Sequence, residues 1–447
     1  MTETVDGRPI WRLDFDKDGH VNPVQKSELI DGVKSAALTD LVLFSHGWNN
    51  DEQAAKSLYE RWFHLLSEQI GGGHTVGYVG IRWPAQLWRD EPIPEFDPSP
   101  LPDRGGAAAA TVSTTFDAGP PTIGPEQLAD LKELFPNAKS ELDDVAALLA
   151  APTSPDTPKK LFEALREFSA AAGESFDDGE ANGSDIPGMF DGSREARTVF
   201  ETFAARLSDA GARFDTGDGA AGGLGDFGTK LLQGAKEALR QASYWQMKNR
   251  AGVVGKQGVG PLIADLNQNS RNLRIHLIGH SFGARVVSFA LAGLPTGGPT
   301  PVKAVTLLQG AYSRFAFADP VPFGLFDRKG ALAGKLDRVD GPLTVCFSSH
   351  DRALGTMYPL ASMAAGDNAS AGVDPLAPWR AMGSHGAFDC PTDSLGSVGQ
   401  VYQFQPGAIL NLNASDVVIK DAGPSGAHSD IFHAELAWVA ASAGHLN

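Results

Sequence analysis

The chain has 447 residues, and 37 Lys+Arg against 54 Asp+Glu leave a formal charge of −17. That balance argues against nucleic acid or an anionic membrane surface as the partner, because both recruit a basic patch. With 42% hydrophobic and 20% charged residues, the chain can bury a large core and is not a disordered polymer.

In chain order, residues 9–13 (PIWRL) predict a strand, and Asp16-Lys17-Asp18-Gly19 a turn closing a hairpin onto His20–Val24. The short apolar run 38–45 (LTDLVLFS) reads as a buried parallel strand. Residues 51–70 carry apolar positions at helical spacing, and 75–83 (TVGYVGIRW) predict a further strand. No buried strand is evident between about residues 85 and 240. A Pro-rich run (92–103) and an Ala/Gly/Thr tract (105–115) open that stretch; helical patterns follow near 126–150, 158–171 and 194–210, separated by loops such as 172–193 and 215–226. A long helix over 227–268, interrupted at Gly252, Gly255 and Gly258, returns the chain to the sheet. Strands follow at 274–278 (RIHLI), 302–308 (VKAVTLL), 343–347 (LTVCF) and 401–405, with helices at 282–292 and about 430–443.

Strands alternating with helices predict an α/β fold, a mostly parallel central sheet with helices on both faces. The core is expected from residues 1–90 and 240–447, with 91–239 a helical and loop insertion that could serve as a cap or lid. Two cysteines, Cys346 and Cys390, leave no disulfide framework and no cysteine-type zinc site. Neither a secretory leader nor a run of 18 apolar residues is evident, so the expected location is cytoplasmic, with no integral membrane segment.

The sharpest chemical signal is Gly279-His280-Ser281-Phe282-Gly283, a G-x-S-x-G string with a strand before it and a helix after it. A serine on so sharp a turn needs small flanking residues, because the backbone passes close to itself, and the turn exposes Oγ above a helix N-terminus. The competing reading is a tight strand-to-helix turn with a capping serine. A nucleophilic serine needs oxyanion donors. The early strand runs into His46-Gly47-Trp48-Asn49-Asn50-Asp51, which offers the backbone amide of Trp48 beside that of Phe282. His46 is expected to support the loop through hydrogen bonds, and Asn50 or Asp51 to cap the next helix. The base should lie on a loop leading into the last helix. His428 in GPSGAHSDIFHAELAW fits, with Ser429 or Asp430 as that helix's cap; His433 and His385 are the weaker candidates. The orienting acid should end a strand between nucleophile and base, which favours Asp351 in SSHD and keeps Asp319 in reserve.

HGWNND, GHSFGAR, SSHD and GAHSDI together resemble the oxyanion loop, nucleophile elbow, acid turn and histidine loop of the α/β-hydrolase superfamily of serine hydrolases, of the esterase/lipase type. The resemblance covers roughly residues 35–90 and 240–445, and the insertion departs from compact members. It implies an α/β-hydrolase fold with a Ser281–Asp351–His428 triad that cleaves a carboxylic ester through an acyl-enzyme, with no cofactor and no metal. It also implies a small-molecule or lipid-like ester as the partner; the oligomeric state stays open. The same triad serves a thioesterase, an amidase or peptidase, or a lipase or acyltransferase at a lipid surface, and a catalytically inactive binding protein on this fold is the remaining alternative.

Other strings carry weaker signals. Residues 14–19 (DFDKDG) look like the start of a calcium loop, but the twelfth position is Gln25 rather than Glu, so a hairpin turn is the favoured reading. Phe315, Phe317, Phe323 and Phe326 crowd one loop and fit ordinary packing better than an acyl pocket. The same ambiguity applies to Trp83 and Trp88, whereas Tyr244, Trp245 and Met247 are expected to pack the long helix.

Overall fold

The computed structural model describes residues 3–48, 50–85, 88, 116–117, 119–173, 190, 192–209, 212–213, 224–297, 300–322, 329–357, 380–420 and 425–447. It is an α/β protein built on a nine-stranded sheet. In chain order the strands and helices are β1 (Thr4–Val5), β2 (Arg8–Asp14), α1 (Pro23–Ser35), β3 (Asp40–Ser45), α2 (Glu52–Ser67) and β4 (Val76–Arg82). Then come β5 (Phe116–Asp117), α3 (Pro125–Leu134), α4 (Lys139–Ala150), α5 (Thr157–Ala172), α6 (Ala196–Asp209) and β6 (Ala212–Arg213). The second half holds α7 (Leu224–Val253), a π-helical segment (Val254–Val259), α8 (Gly260–Asn269), β7 (Arg274–His280), α9 (Phe282–Gly293), β8 (Val302–Leu308), β9 (Leu343–Phe347), β10 (Thr392–Ser394), β11 (Ile409–Asn413) and α10 (Ala434–Ala443). The sheet order is β1-β2-β4-β3-β7-β8-β9-β11-β10; β1 runs antiparallel to β2 and every other pair is parallel. β5 and β6 form a separate parallel pair.

The central strands are apolar on both faces because both faces are covered. Along β3, Leu41 and Leu43 join the cluster that also holds residues of α1, α8 and α9. Val42 and Phe44 point the other way, into the cluster built on α2 and α10. The alternation is the two-residue period of a strand. Within the expected insertion, helices α4–α6 pack against α7 and α3 packs on α4, and Leu142, Leu161, Phe168 and Phe200 belong to the same apolar cluster as the first sheet face. No helix among the described residues is long and apolar enough to cross a membrane.

Three local expectations need correction. The hairpin onto His20–Val24 reduces to one antiparallel bridge, Phe15 to Val21. Asn22 then caps α1 by accepting hydrogen bonds from the amides of Val24 and Gln25, and Pro23 fills the first helical position, where its missing N–H costs nothing. The strand expected at 401–405 is a loop: Val401 is exposed, and the Tyr402 hydroxyl is turned to the Gly396 amide at 3.0 Å. The sheet edge is made instead by β11 and β10. The interruption expected in the 227–268 helix is present at Gly255 and Gly258, which lie in the π-helical segment between α7 and α8, whereas Gly252 stays within α7. The last helix begins at Ala434 with His433 at its cap, and neither Ser429 nor Asp430 caps it. The Pro-rich run, the Ala/Gly/Thr tract, Asn49, Phe323 and Phe326 lie outside the described residues.

Candidate active site

β7 ends at His280, α9 begins at Phe282, and Ser281 alone makes the turn with φ 55° and ψ −122°. A non-glycine residue held there is strained by roughly 1–3 kcal/mol, so the surroundings must impose the conformation. They do so by proximity. A Cβ on Gly279 would sit 2.3 Å from the carbonyl oxygen of Gly283, and one on Gly283 would sit 1.9 Å from that of Ser45. Only glycine lets the elbow close on itself and on the end of β3. Hydrogen bonds then pin the serine backbone: its amide donates to Leu308 O (3.1 Å), and its carbonyl accepts from Ala284 N (3.2 Å) and Ala311 N (3.1 Å).

Ser281 Oγ lies 2.8 Å from His428 Nε2, and His428 Nδ1 lies 2.7 Å from Asp351 Oδ2. The carboxylate fixes the tautomer. Nδ1 carries the proton it donates to Asp351, so Nε2 is the acceptor facing the serine hydroxyl. The other carboxylate oxygen, Oδ1, accepts the Leu354 amide at 2.9 Å, so the acid cannot rotate. Asp351 and Ser281 are both buried, and the His428 side chain is nearly so. The loops carrying Asp351 and His428 are themselves joined: Asp351 bridges Gly426, and the Ala427 amide donates to His350 O at 2.9 Å. Three residues separated by up to 147 positions thus converge at the carboxyl ends of β7 and β9, the end of a parallel sheet where ligands bind.

The loop after β3 lies directly on the serine. A Cβ on Gly47 would sit 2.7 Å from Ser281 Cβ and 3.2 Å from its Oγ. His46 acts as a support: Nδ1 donates to Gly47 O (2.8 Å), Nε2 accepts the Trp83 amide (3.4 Å), and the ring stacks on Trp83 at 5.6 Å. Asn50 Nδ2 donates to Gly47 O and Trp48 O, while Asp51 caps α2 through the Ala54 amide at 2.7 Å. Among the described residues no group accepts the main-chain N–H of Trp48 or of Phe282. The Trp48 ring meets Tyr244 edge-on at 5.0 Å, and Tyr244 meets Phe282 at 4.6 Å, so α7 reaches the site through Tyr244. Trp245 and Met247 are buried along α7, and Trp88 is buried in the core, as packing residues are.

The remaining candidates lie elsewhere. Asp319 is exposed and paired with Lys329. His433 pairs with Asp430 at 2.9 Å, and Asp430 also accepts the amides of Ile419 and Lys420. His385 sits against Ser384 Oγ. Phe315 packs on Phe388 at 5.0 Å. In the 14–19 loop, ligand atoms of Asp16, Asp18 and His20 lie within 4.8 Å of one another, all exposed. Gln25, at the twelfth position, exchanges two 2.7 Å hydrogen bonds with Asp14 instead of facing those groups.

Two groups at the site went unremarked in the sequence. His280 had a place only as the variable position of the motif, yet its ring is fully buried and its Nε2 lies 2.9 Å from His428 O. Gln309, immediately after β8 and at φ 47°, donates from Nε2 to Ala427 O at 2.6 Å. Comparison with protein-family models, with curated proteins and with solved structures finds no match to this chain.

Proposed function

We propose that this chain is a serine hydrolase with an α/β-hydrolase fold that cleaves carboxylic esters through an acyl-enzyme. The observation that carries the reading is the continuous relay Asp351–His428–Ser281, with contacts of 2.7 and 2.8 Å. As Ser281 Oγ attacks the acyl carbon, its proton passes to His428 Nε2, and the imidazolium is held by the Asp351 carboxylate. The charge that develops on the acyl oxygen falls to the amides of Trp48 and Phe282, both without another acceptor among the described residues and the latter at the N-terminus of α9. His428 returns the proton to the leaving alkoxide. Water, deprotonated by the same nitrogen, then releases the acid and restores the serine. Three aromatic rings beside the nucleophile, Trp48, Tyr244 and Phe282, suit an apolar acyl group.

The test is labelling with a fluorophosphonate probe alongside p-nitrophenyl esters of increasing chain length. Wild type should label once per chain and turn over. Ser281→Ala should do neither, with turnover down at least about 10³-fold. Unlabelled, inactive wild-type protein that is folded by circular dichroism would overturn the reading.

A further inference from the structure

We infer that His280 and Gln309 form a positioning clamp on the loop of the general base, holding His428 in register between Ser281 and Asp351. The inference rests on the proposed hydrolase reading. Its evidence is a convergence of two side chains from the ends of neighbouring strands onto consecutive carbonyls: His280 Nε2 on His428 O at 2.9 Å and Gln309 Nε2 on Ala427 O at 2.6 Å. Both donors are buried, and the Gln309 bond lies wholly in the interior, so its loss strands the buried Ala427 carbonyl, while the His280 bond is partly shielded from competing water. The His280 bond requires its proton on Nε2. Its ring centroid lies 5.0 Å from that of His428, so the two imidazoles pack side by side.

The backbone points the same way. Gln309 holds a left-handed conformation that glutamine seldom adopts, and it directly follows the residue whose carbonyl receives the Ser281 amide. The strand end that fixes the nucleophile therefore also places the clamp on the base. The third grip is the backbone bridge from the Asp351 loop. Main chain ties the acid loop to the base loop and the nucleophile to the end of β8, and the two side chains close the remaining gap between nucleophile and base. A base held this way stays aligned while its proton moves, which is where misplacement of about 1 Å costs about 10²-fold in rate.

The test uses His280→Leu and Gln309→Met, which keep bulk and remove the donor, and His280→Gln, whose amide nitrogen can occupy the place of Nε2. Each is assayed on the best p-nitrophenyl ester across pH, and each is examined by proton NMR for the far-downfield resonance of the His428 Nδ1 proton. The two donor-free variants should lose kcat by about 10- to 100-fold with KM little changed. The acid limb of kcat/KM should move to lower pH, because a misaligned imidazolium loses stabilisation from Asp351. The downfield resonance should shift or broaden in both, and His280→Gln should restore rate, limb and resonance. Folded variants with wild-type kcat, pH limb and resonance would overturn the clamp, as would a loss confined to thermal stability. The NMR readout needs no substrate, so an inactive wild type with an intact, variant-sensitive resonance would reject the hydrolase reading and leave the clamp standing.

Discussion

At the residue scale, the site is organised around atoms that have one permitted role. Asp351 uses one oxygen to hold the His428 Nδ1 proton and the other to hold the Leu354 amide. Replacing it by Asn keeps the shape but offers an N–H where the imidazole needs an acceptor, which favours the wrong tautomer. Asp351→Asn is therefore expected to fold normally and to lose about 10⁴ in kcat, measured on the ester that serves wild type best. A loss within tenfold would remove Asp351 from the mechanism. The residues that the proposal gives chemical roles stand out because each sits in a short string at a strand end: GHSFG, HGWNN, SSHD and GAHSD. Gln309 does not. Nothing in LLQGA announces that the glutamine turns left-handed and reaches a loop 118 residues away, since the contact exists only once β8 lies beside β7.

At the element scale, the sequence showed the central strands well and the edges poorly. Short, mostly apolar runs such as 302–308 read as buried strands, and β8 occupies that range. VYQFQ at 401–405 has better strand propensity than ILNLN at 409–413, yet ILNLN pairs with β9. The first segment is held against α10 instead, where Trp438 Nε1 donates to Gln400 O at 2.8 Å. Propensity lost to tertiary packing there. Helix α7 was harder still, because its period cannot reveal that Lys236, Glu237, Lys248 and Arg250 are all buried. Arg250 shows how such a charge is accommodated. Its guanidinium donates to Leu134 O at 2.9 Å, at the carboxyl end of α3, and to Pro84 O at 3.2 Å, just beyond β4, and lies over Phe135. It fastens α3 to the strand that leads into the insertion, with the helix's unpaired terminal carbonyl as anchor. Arg250→Met keeps the aliphatic stem and strands those carbonyls, at a cost of about 1–3 kcal/mol. Hydrogen exchange should rise in residues 125–150 while β7 and β8 stay protected. Unchanged exchange in α3 would show that Arg250 fastens nothing.

At the scale of the whole molecule, two charged networks sit at opposite ends of the sheet. The triad lies at the carboxyl ends of the strands. At the amino ends, buried Asp40 receives hydrogen bonds from His276 Nε2 (2.8 Å), His74 Nδ1 (3.0 Å) and Thr39 Oγ1 (2.7 Å), with Arg274 at 3.2 Å. Arg274 also donates to Gly444 O, so the network ties β3 and β7 to the end of α10. Burial works to raise the Asp40 carboxyl, but the bonds from His276, Thr39 and His74 prevail and hold it near 2. Burial pushes His276 below the ordinary histidine value, against the upward pull of Asp40. Both groups thus bind fewer protons folded than unfolded. Their contribution to stability is whole above about pH 6.5 and falls on acidification: first as the unfolded chain's His276 takes up a proton, then below about pH 4 as its Asp40 does, until the folded carboxyl titrates near 2. The net charge of −17 acts oppositely, since acid relieves self-repulsion, so the network shows only in a difference between variants. His276→Gln keeps a donor for Asp40 and removes the titration. Urea unfolding between pH 5 and 7.5 should therefore fall less steeply in His276→Gln than in wild type, by up to about 1.4 kcal/mol per pH unit. Ester turnover at pH 7.5 should be unaltered, because the network stands at the far end of β7 from Ser281. Parallel stability curves for the two proteins would show that His276 takes no part in the acid response.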